Sequence, residues 1–229
     1  MASLKKNINH YSSTQISLIK SIEKVLEEQF KQDSSGHDWL HIQNTRKLAL
    51  RIAHEEPDEK NLYVIELAAL LHDFNDWKFK AEHTEKQTVR QLLEEFGVEP
   101  TVVEHVSFIT ENLSYKGGTN KVTMETIEGK IVQDADRLEA IGAIGITRAC
   151  MFGGNRSLVL YDPFIKPQKF DSFKKYKKYK NTVINHFYEK LLLLKDQFHT
   201  KTAKRIAQGR HDFMLEFLDR FYKEIEGEL

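Results

Sequence analysis

The sequence contains little of what secreted or membrane-bound proteins need. Its single cysteine, Cys150, cannot form an intrachain disulfide, and one thiol in 229 residues is typical of a reducing compartment. No apolar run approaches the roughly 20 residues that span a bilayer, and residues 1–13 lack the hydrophobic segment of a signal peptide. We therefore expect a cytoplasmic protein with no membrane partner.

An excess of charge of one sign is also missing. The 34 basic and 34 acidic residues leave a formal net charge of zero, so no overall field attracts nucleic acid. Only 4 prolines and 11 glycines accompany 40% hydrophobic residues, which excludes collagen-like and low-complexity classes. We expect a globular protein that does not bind nucleic acid and in which any phosphate binding is local.

Helical periodicity is present over most of the chain. Apolar residues recur three or four positions apart, whereas alternating segments that could pair into a sheet are too few. The pattern predicts loops over 114–121 and 153–171, and an all-α protein folded as a single domain over residues 1–229. The predicted helices cover about 16–30, 37–57, 60–73, 82–96, 99–113, 123–138, 139–152, 173–194 and 206–221.

One histidine–aspartate pair stands out among the ten histidines. His72 and Asp73 directly follow an apolar helix, where two polar side chains are costly to desolvate unless a group such as a divalent cation compensates them. Imidazole and carboxylate are ligands for Mn, Fe, Co, Ni and Zn. Further ligands are available from His41 on the preceding helix and from Asp134 or Asp136. The last two lie about 200° apart on a helix and cannot both face one metal; we select Asp136.

These residues carry a resemblance to a known family. His41, then "AALLHD" at 68–73, then "DADRLEA" at 134–140 resembles the HD-domain superfamily of metal-dependent phosphohydrolases. The segments "GHDWLHIQNTRKLA", "YDPF" and "HFYEKLLLLKDQFHTKTAKRIAQGRHDFMLEFL" are similar to short bacterial HD hydrolases of the YpgQ and YedJ type. The resemblance implies a compact helical HD fold, with a metal-site core at about 35–140 and additional C-terminal helices at about 170–227.

The resemblance also implies a site. It assigns one divalent ion, Mn first and Co, Ni, Fe, Zn or Mg as alternatives, to His41, His72, Asp73 and Asp136. His37 competes with His41 as a ligand or contacts substrate, and Asp76 positions or activates water. The remaining candidate substrate-binding residues are Lys78, Arg137, His186, Lys190 and Arg210. Alternatives stay open: Asp76 could pair with Lys78, Arg137 with Asp134 or Glu139, and His186 and Lys190 could be surface residues.

The resemblance also implies a function, which is the hydrolysis of nucleotides. We expect a nucleoside triphosphate pyrophosphohydrolase that releases pyrophosphate, and the amphipathic terminal helices leave a homodimer open. A 5′-nucleotidase or a hydrolase of signalling nucleotides is the alternative within the same chemistry. A di-iron oxygenase would need a second full ligand set, which the sequence lacks. A non-catalytic nucleotide-sensing module is a further alternative, which the complete ligand set disfavours.

Overall fold

The computed structural model describes residues 11–31, 33–74, 87–114, 122–169 and 181–229. These residues form α-helices and one 3-10 helix without a strand, which confirms the all-α prediction. None of the helices in these ranges has the length and apolar character needed to cross a membrane. The helices are α1 (Ser13–Phe30), α2 (Trp39–Glu55), α3 (Leu62–Leu71), α4 (Val89–Glu95), α5 (Pro100–Asn112), α6 (Ile127–Glu139), α7 (Gly142–Asn155), α8 (Val183–Glu189), the 3-10 helix (Leu191–Gln197) and α9 (Lys201–Glu226).

Three helices form the centre of the fold, since α2, α3 and α6 all pack against one another. Nine of the ten residues of α3 are buried, as its apolar sequence predicts. The side chain of Asn61 caps this helix by accepting from the backbone N–H groups of Tyr63 and Val64. The helix ends at Leu71 rather than continuing to residue 73. His72 and Asp73 therefore lie in the turn that follows it.

The loop predicted over 153–171 starts later in the structure than the sequence indicated. Helix α7 continues to Asn155, so Gly153 and Gly154 lie inside it. Gly153 packs against α8, where an added Cβ would come within 2.3 Å of the Val183 side chain. The glycine is required by this close helix contact and not by a turn.

The predicted helix over 173–194 is confirmed over Val183–Glu189 and is wrong beyond it. Residues 173–180 lie outside the described ranges, and α8 ends at Glu189. Lys190 leaves the helical conformation at φ −141°, and the run of leucines after it forms the 3-10 helix. Leu191 and Leu194 are buried there, three residues apart, which matches the 3-10 repeat. The prediction over 206–221 is confirmed, since α9 covers it.

Asp134 joins the start of α9 to α6. Its carboxylate is fully buried and accepts the backbone N–H groups of His199 (2.9 Å) and Thr200 (2.8 Å) and the Thr200 hydroxyl (2.8 Å). Thr200 is the N-cap residue of α9. Asp134 therefore anchors the C-terminal helix to α6, the helix that carries Asp136.

Removal of this anchor should destabilise the protein. Asp134→Ala leaves buried N–H groups without an acceptor, and we expect a loss of about 3 kcal/mol in the free energy of unfolding. For a chain of this size the melting temperature falls by roughly 6–12 °C, measurable by calorimetry. Asp219→Ala, at an exposed site on α9, is the control and should change stability by less than about 0.5 kcal/mol. Equal melting temperatures for the two variants would contradict the role of Asp134 in anchoring α9 to α6.

Candidate metal centre

Two buried histidines form the middle of the site. Asp38 is the N-cap of α2 and accepts the backbone N–H of His41 (2.9 Å), which fixes His41 in the first turn. His72 follows α3, and its Nδ1–H donates to the carbonyl oxygen of Ala69 (2.8 Å). The Nε2 atoms of His41 and His72 lie 3.0 Å apart. The two rings thus point their Nε2 atoms at one location.

Two carboxylates complete a four-residue cluster with these histidines. Asp73 Oδ2 lies 3.4 Å from each Nε2, and Asp136 Oδ1 lies 3.7 Å from that of His41 and 3.8 Å from that of His72. The side chain of Asp136 is 27% exposed, whereas that of Asp73 is 7% exposed. The cluster is therefore open to solvent beside Asp136. All four predicted ligands are brought together.

The donor atoms of the cluster fit one divalent cation. In the neutral form of His72 the carbonyl of Ala69 holds the proton on Nδ1, so Nε2 carries a lone pair that faces Nε2 of His41. Two lone pairs 3.0 Å apart repel each other unless positive charge lies near both. Nitrogens bound about 2.1 Å from one metal ion at a right angle are about 3.0 Å apart. His41, His72 and Asp136 also form one of two groups of described residues with donor atoms close enough to share an ion.

The charges of the cluster favour a cation as well. Burial lowers the pKa of His72, but Asp73 and Asp136 outweigh burial and raise this pKa to about 9. Burial disfavours the ionised form of Asp73, yet His72 and His37 hold its pKa well below the usual value. The pKa of Asp136 is lowered for the same reason, by His72 and His41. A divalent cation would replace the proton that His72 binds in its absence.

His37 lies beside the cluster. Its Nδ1 is 2.8 Å from Asp73 Oδ2, and its backbone N–H donates to Asp33 (3.1 Å), which holds the preceding loop. His37, His41 and Asp73 form the second group able to share an ion. Since two of its members belong to the four-residue cluster, this group is not a separate ligand set. The position suits either alternative predicted for His37.

Arg148 was not predicted for the site. This α7 side chain donates from Nε to the carbonyl of Gly36 (2.5 Å) and from Nη1 to that of Glu139 (3.1 Å), while Nη2 lies 3.2 Å from His37 Nδ1. Two backbone carbonyls thus hold a guanidinium next to the cluster. Only the tertiary contact between α7 and the loop at Gly36 places it there, and local spacing carries no signal of that contact.

Glu139 was missed as well, although a signal existed. It follows Asp136 by three residues on α6, so both lie on one helix face. Its Oε2 lies 3.9 Å from Nδ1 of His41. The motif that contains Asp136 therefore supplies a second carboxylate near the histidines.

The other predicted substrate-binding residues lie outside the cluster. Arg137 donates to the carbonyl of Gln197 and lies 3.4 Å from His199 Nε2. Arg210 donates to the carbonyl of Leu138, and its Nη1 is 3.6 Å from Glu139 Oε1. The two remaining described candidates are His186, within α8, and Lys190, at its end, so the single helical face predicted for them ends at Lys190. Outside the described ranges lie Asp76 and Lys78.

Comparisons with known proteins identify the family. The HD domain family matches residues 39–141. The YpgQ protein of Bacillus subtilis is 38% identical over 200 residues, which cover 85% of this chain and 87% of YpgQ. A crystal structure of YpgQ in complex with ADP matches with a TM-score of 0.71 and 35% identity, over 91% of this chain and 98% of that one.

Further solved structures agree over nearly the whole chain. A Lactobacillus plantarum protein matches with a TM-score of 0.82 and 34% identity, covering 95% of this chain and 99% of that one. An HD-superfamily hydrolase from Bacillus thuringiensis matches with a TM-score of 0.67 and 37% identity, covering 93% and 98%. The chain belongs to the HD-domain superfamily of metal-dependent phosphohydrolases, in the group that includes YpgQ.

Proposed function

We propose that this protein hydrolyses nucleoside triphosphates, deoxynucleotides included, to the monophosphate and pyrophosphate. One observation carries the proposal: two histidines and two carboxylates converge at a solvent-open point with an arginine held beside them. Such a site can bind a polyphosphate chain and a divalent cation together. The complex of the related YpgQ with ADP supports a nucleotide as the ligand.

The four-residue cluster would hold one divalent ion, for which we propose Mn²⁺. When bound, the ion supplies a lowered pKa for a coordinated water and neutralises phosphoryl charge. The chain itself prepares the ligands. The carbonyl of Ala69 keeps the proton of His72 on Nδ1, and the low pKa values of Asp73 and Asp136 keep both carboxylates ionised at neutral pH.

The reaction needs a cation for the substrate and an acceptor for a proton. We propose that Arg148 binds the phosphoryl oxygens, since its guanidinium is held by the backbone carbonyls of Gly36 and Glu139. The water oxygen forms a bond to the α-phosphorus while the bond from this phosphorus to the bridging oxygen breaks, and pyrophosphate leaves. The proton of the water passes to Asp76, a role proposed from the sequence alone.

A product assay tests the proposal. A panel of nucleoside mono-, di- and triphosphates is incubated with Mn²⁺, Co²⁺, Ni²⁺, Zn²⁺ or Mg²⁺, and phosphate and pyrophosphate are measured separately. We expect pyrophosphate from triphosphates, with Mn²⁺ among the activating ions. The Asp73→Ala protein, purified in parallel, reports contaminating activity.

Other outcomes select other functions. Inorganic phosphate from monophosphates would show a nucleotidase. Cyclic and modified nucleotides are assayed in the same way, and products from them would show a hydrolase of signalling nucleotides. Tight nucleotide binding with no product under any of the five ions would show a sensing module. Each of these results, obtained without pyrophosphate release from triphosphates, overturns the proposed pyrophosphohydrolase activity.

A further inference from the structure

Glu139 is a buried carboxylate on the far side of the His41 ring from the cluster. Its side chain is 1% exposed, and its Oε2 has no hydrogen-bond partner within the described ranges. This oxygen lies 3.9 Å from His41 Nδ1, while Nε2 of the same ring faces His72. A buried carboxylate is costly unless nearby positive charge or N–H dipoles compensate it. The ring of His41 is one such compensating group.

Arg210 is the other compensating group. Its Nη1 lies 3.6 Å from Glu139 Oε1 and also donates to the carbonyl of Leu138. Gly142 leaves room for the arginine stem, since an added Cβ there would come within 2.9 Å of Arg210 Cβ. Arg210 therefore places a fixed cationic side chain beside the buried carboxylate of Glu139, on the side away from His41.

We infer that Glu139 and Arg210 are positioning residues of the metal centre. The Glu139 carboxylate attracts the Nδ1–H of His41, so the Nε2 lone pair is presented to the cation, and Arg210 holds Glu139 in place. Thr45 Oγ1 lies 3.5 Å from the same Nδ1, but a neutral hydroxyl stabilises an N–H dipole less than a carboxylate does. The inference rests on the proposed metal centre.

Through Glu139 and Arg210, the proposed metal centre includes a residue outside the segment that matches the HD domain family. Arg210 belongs to α9, whereas the family match covers residues 39–141. The affinity for metal thus depends on how the C-terminal helix packs against α6. Partners that hold a histidine ligand from behind typically change metal affinity 10- to 100-fold when they are removed.

Metal titration of the full chain tests the pair. In Glu139→Gln we expect the affinity for Mn²⁺, measured by calorimetry, to fall at least about tenfold, because the amide keeps the shape but not the charge. Arg210→Gln should weaken binding in the same direction, and wild-type affinity in that variant overturns the role of Arg210. Arg220→Gln, at an exposed position of the same helix, should bind as the wild type does.

A second readout separates positioning from mere stability. In the Zn²⁺-loaded protein, the Nδ1–H proton of His41 should resonate downfield and exchange slowly with water. In Glu139→Gln it should move upfield and exchange faster. Wild-type affinity and an unchanged resonance in this variant would overturn the inference while the metal centre stands. A wild-type protein that binds no Mn²⁺ would overturn both. If Glu139→Gln does not fold, the Arg210→Gln titration decides.

Discussion

Asp73→Ala should lose its bound metal and at least about 10³-fold of the hydrolytic activity. Asp73 Oδ2 lies 3.4 Å from Nε2 of both His41 and His72 and 2.8 Å from His37. No other carboxylate in the described ranges is this close to all three rings. Its removal deletes one proposed ligand and also the neighbouring charge that raises the pKa of His72 most.

Three measurements make this prediction specific. Elemental analysis after gel filtration should find metal in the wild type and little in Asp73→Ala, and calorimetry should show weak Mn²⁺ binding. Pyrophosphate release should fall to the background of the assay. Asp73→Asn separates charge from shape, because it keeps the volume and loses the negative charge; we expect it to behave like the alanine variant.

A matched surface variant guards against a trivial explanation. Asp219 is an exposed aspartate of α9 paired only to Lys223 in the described contacts, so Asp219→Ala should keep wild-type metal content and rate. Wild-type activity in Asp73→Ala, or activity that survives a chelator in the native protein, would refute a metal-dependent reaction at this cluster.

The convergence of His41, His72 and Asp73 followed from the order of motifs in the sequence. Two polar residues after a buried helix demand compensation, and the resemblance to the HD superfamily supplied the partners. Asp136 rather than Asp134 was selected, and the structure gives the physical reason: Asp134 is occupied by the backbone at the start of α9. Helix periodicity separates the two carboxylates, and tertiary contacts decide their roles.

The surroundings of the cluster were not predictable in the same way. Arg148 reaches the site only because α7 packs against the loop at Gly36, and no local pattern encodes that contact. The change from α8 to the 3-10 helix after Glu189 was not predicted, because apolar residues three positions apart fit α-helices and 3-10 helices alike. The Gly153–Gly154 pair is typical of a loop in sequence, whereas in the structure the close contact with Val183 of α8 requires a glycine at position 153. Asp76 and Lys78 stay predictions.

Arg148→Ala should lower kcat/KM for a nucleoside triphosphate by about 100-fold, equivalent to about 3 kcal/mol, at saturating metal. The guanidinium is held by two backbone carbonyls, so its charge is fixed before substrate arrives. Nη2 lies 3.2 Å from His37 Nδ1, and the same nitrogen of His37 lies 2.8 Å from Asp73. When His37 Nδ1 carries the proton that it donates to Asp73, this nitrogen cannot also accept from Arg148, which leaves Nη2 suited to an anion beside the cluster.

Arg148→Lys distinguishes a shaped donor from a simple charge. An ammonium group cannot donate to the carbonyls of Gly36 and Glu139 at once, as the planar guanidinium does. Lysine should therefore restore less than about tenfold of the 100-fold loss in kcat/KM that we expect for Arg148→Ala. Arg156→Ala, at the exposed end of α7, should keep wild-type kcat/KM and controls for changes in the helix. The affinity for Mn²⁺ should change far less than kcat/KM in Arg148→Ala. A wild-type kcat/KM in this variant would show that phosphate is bound elsewhere.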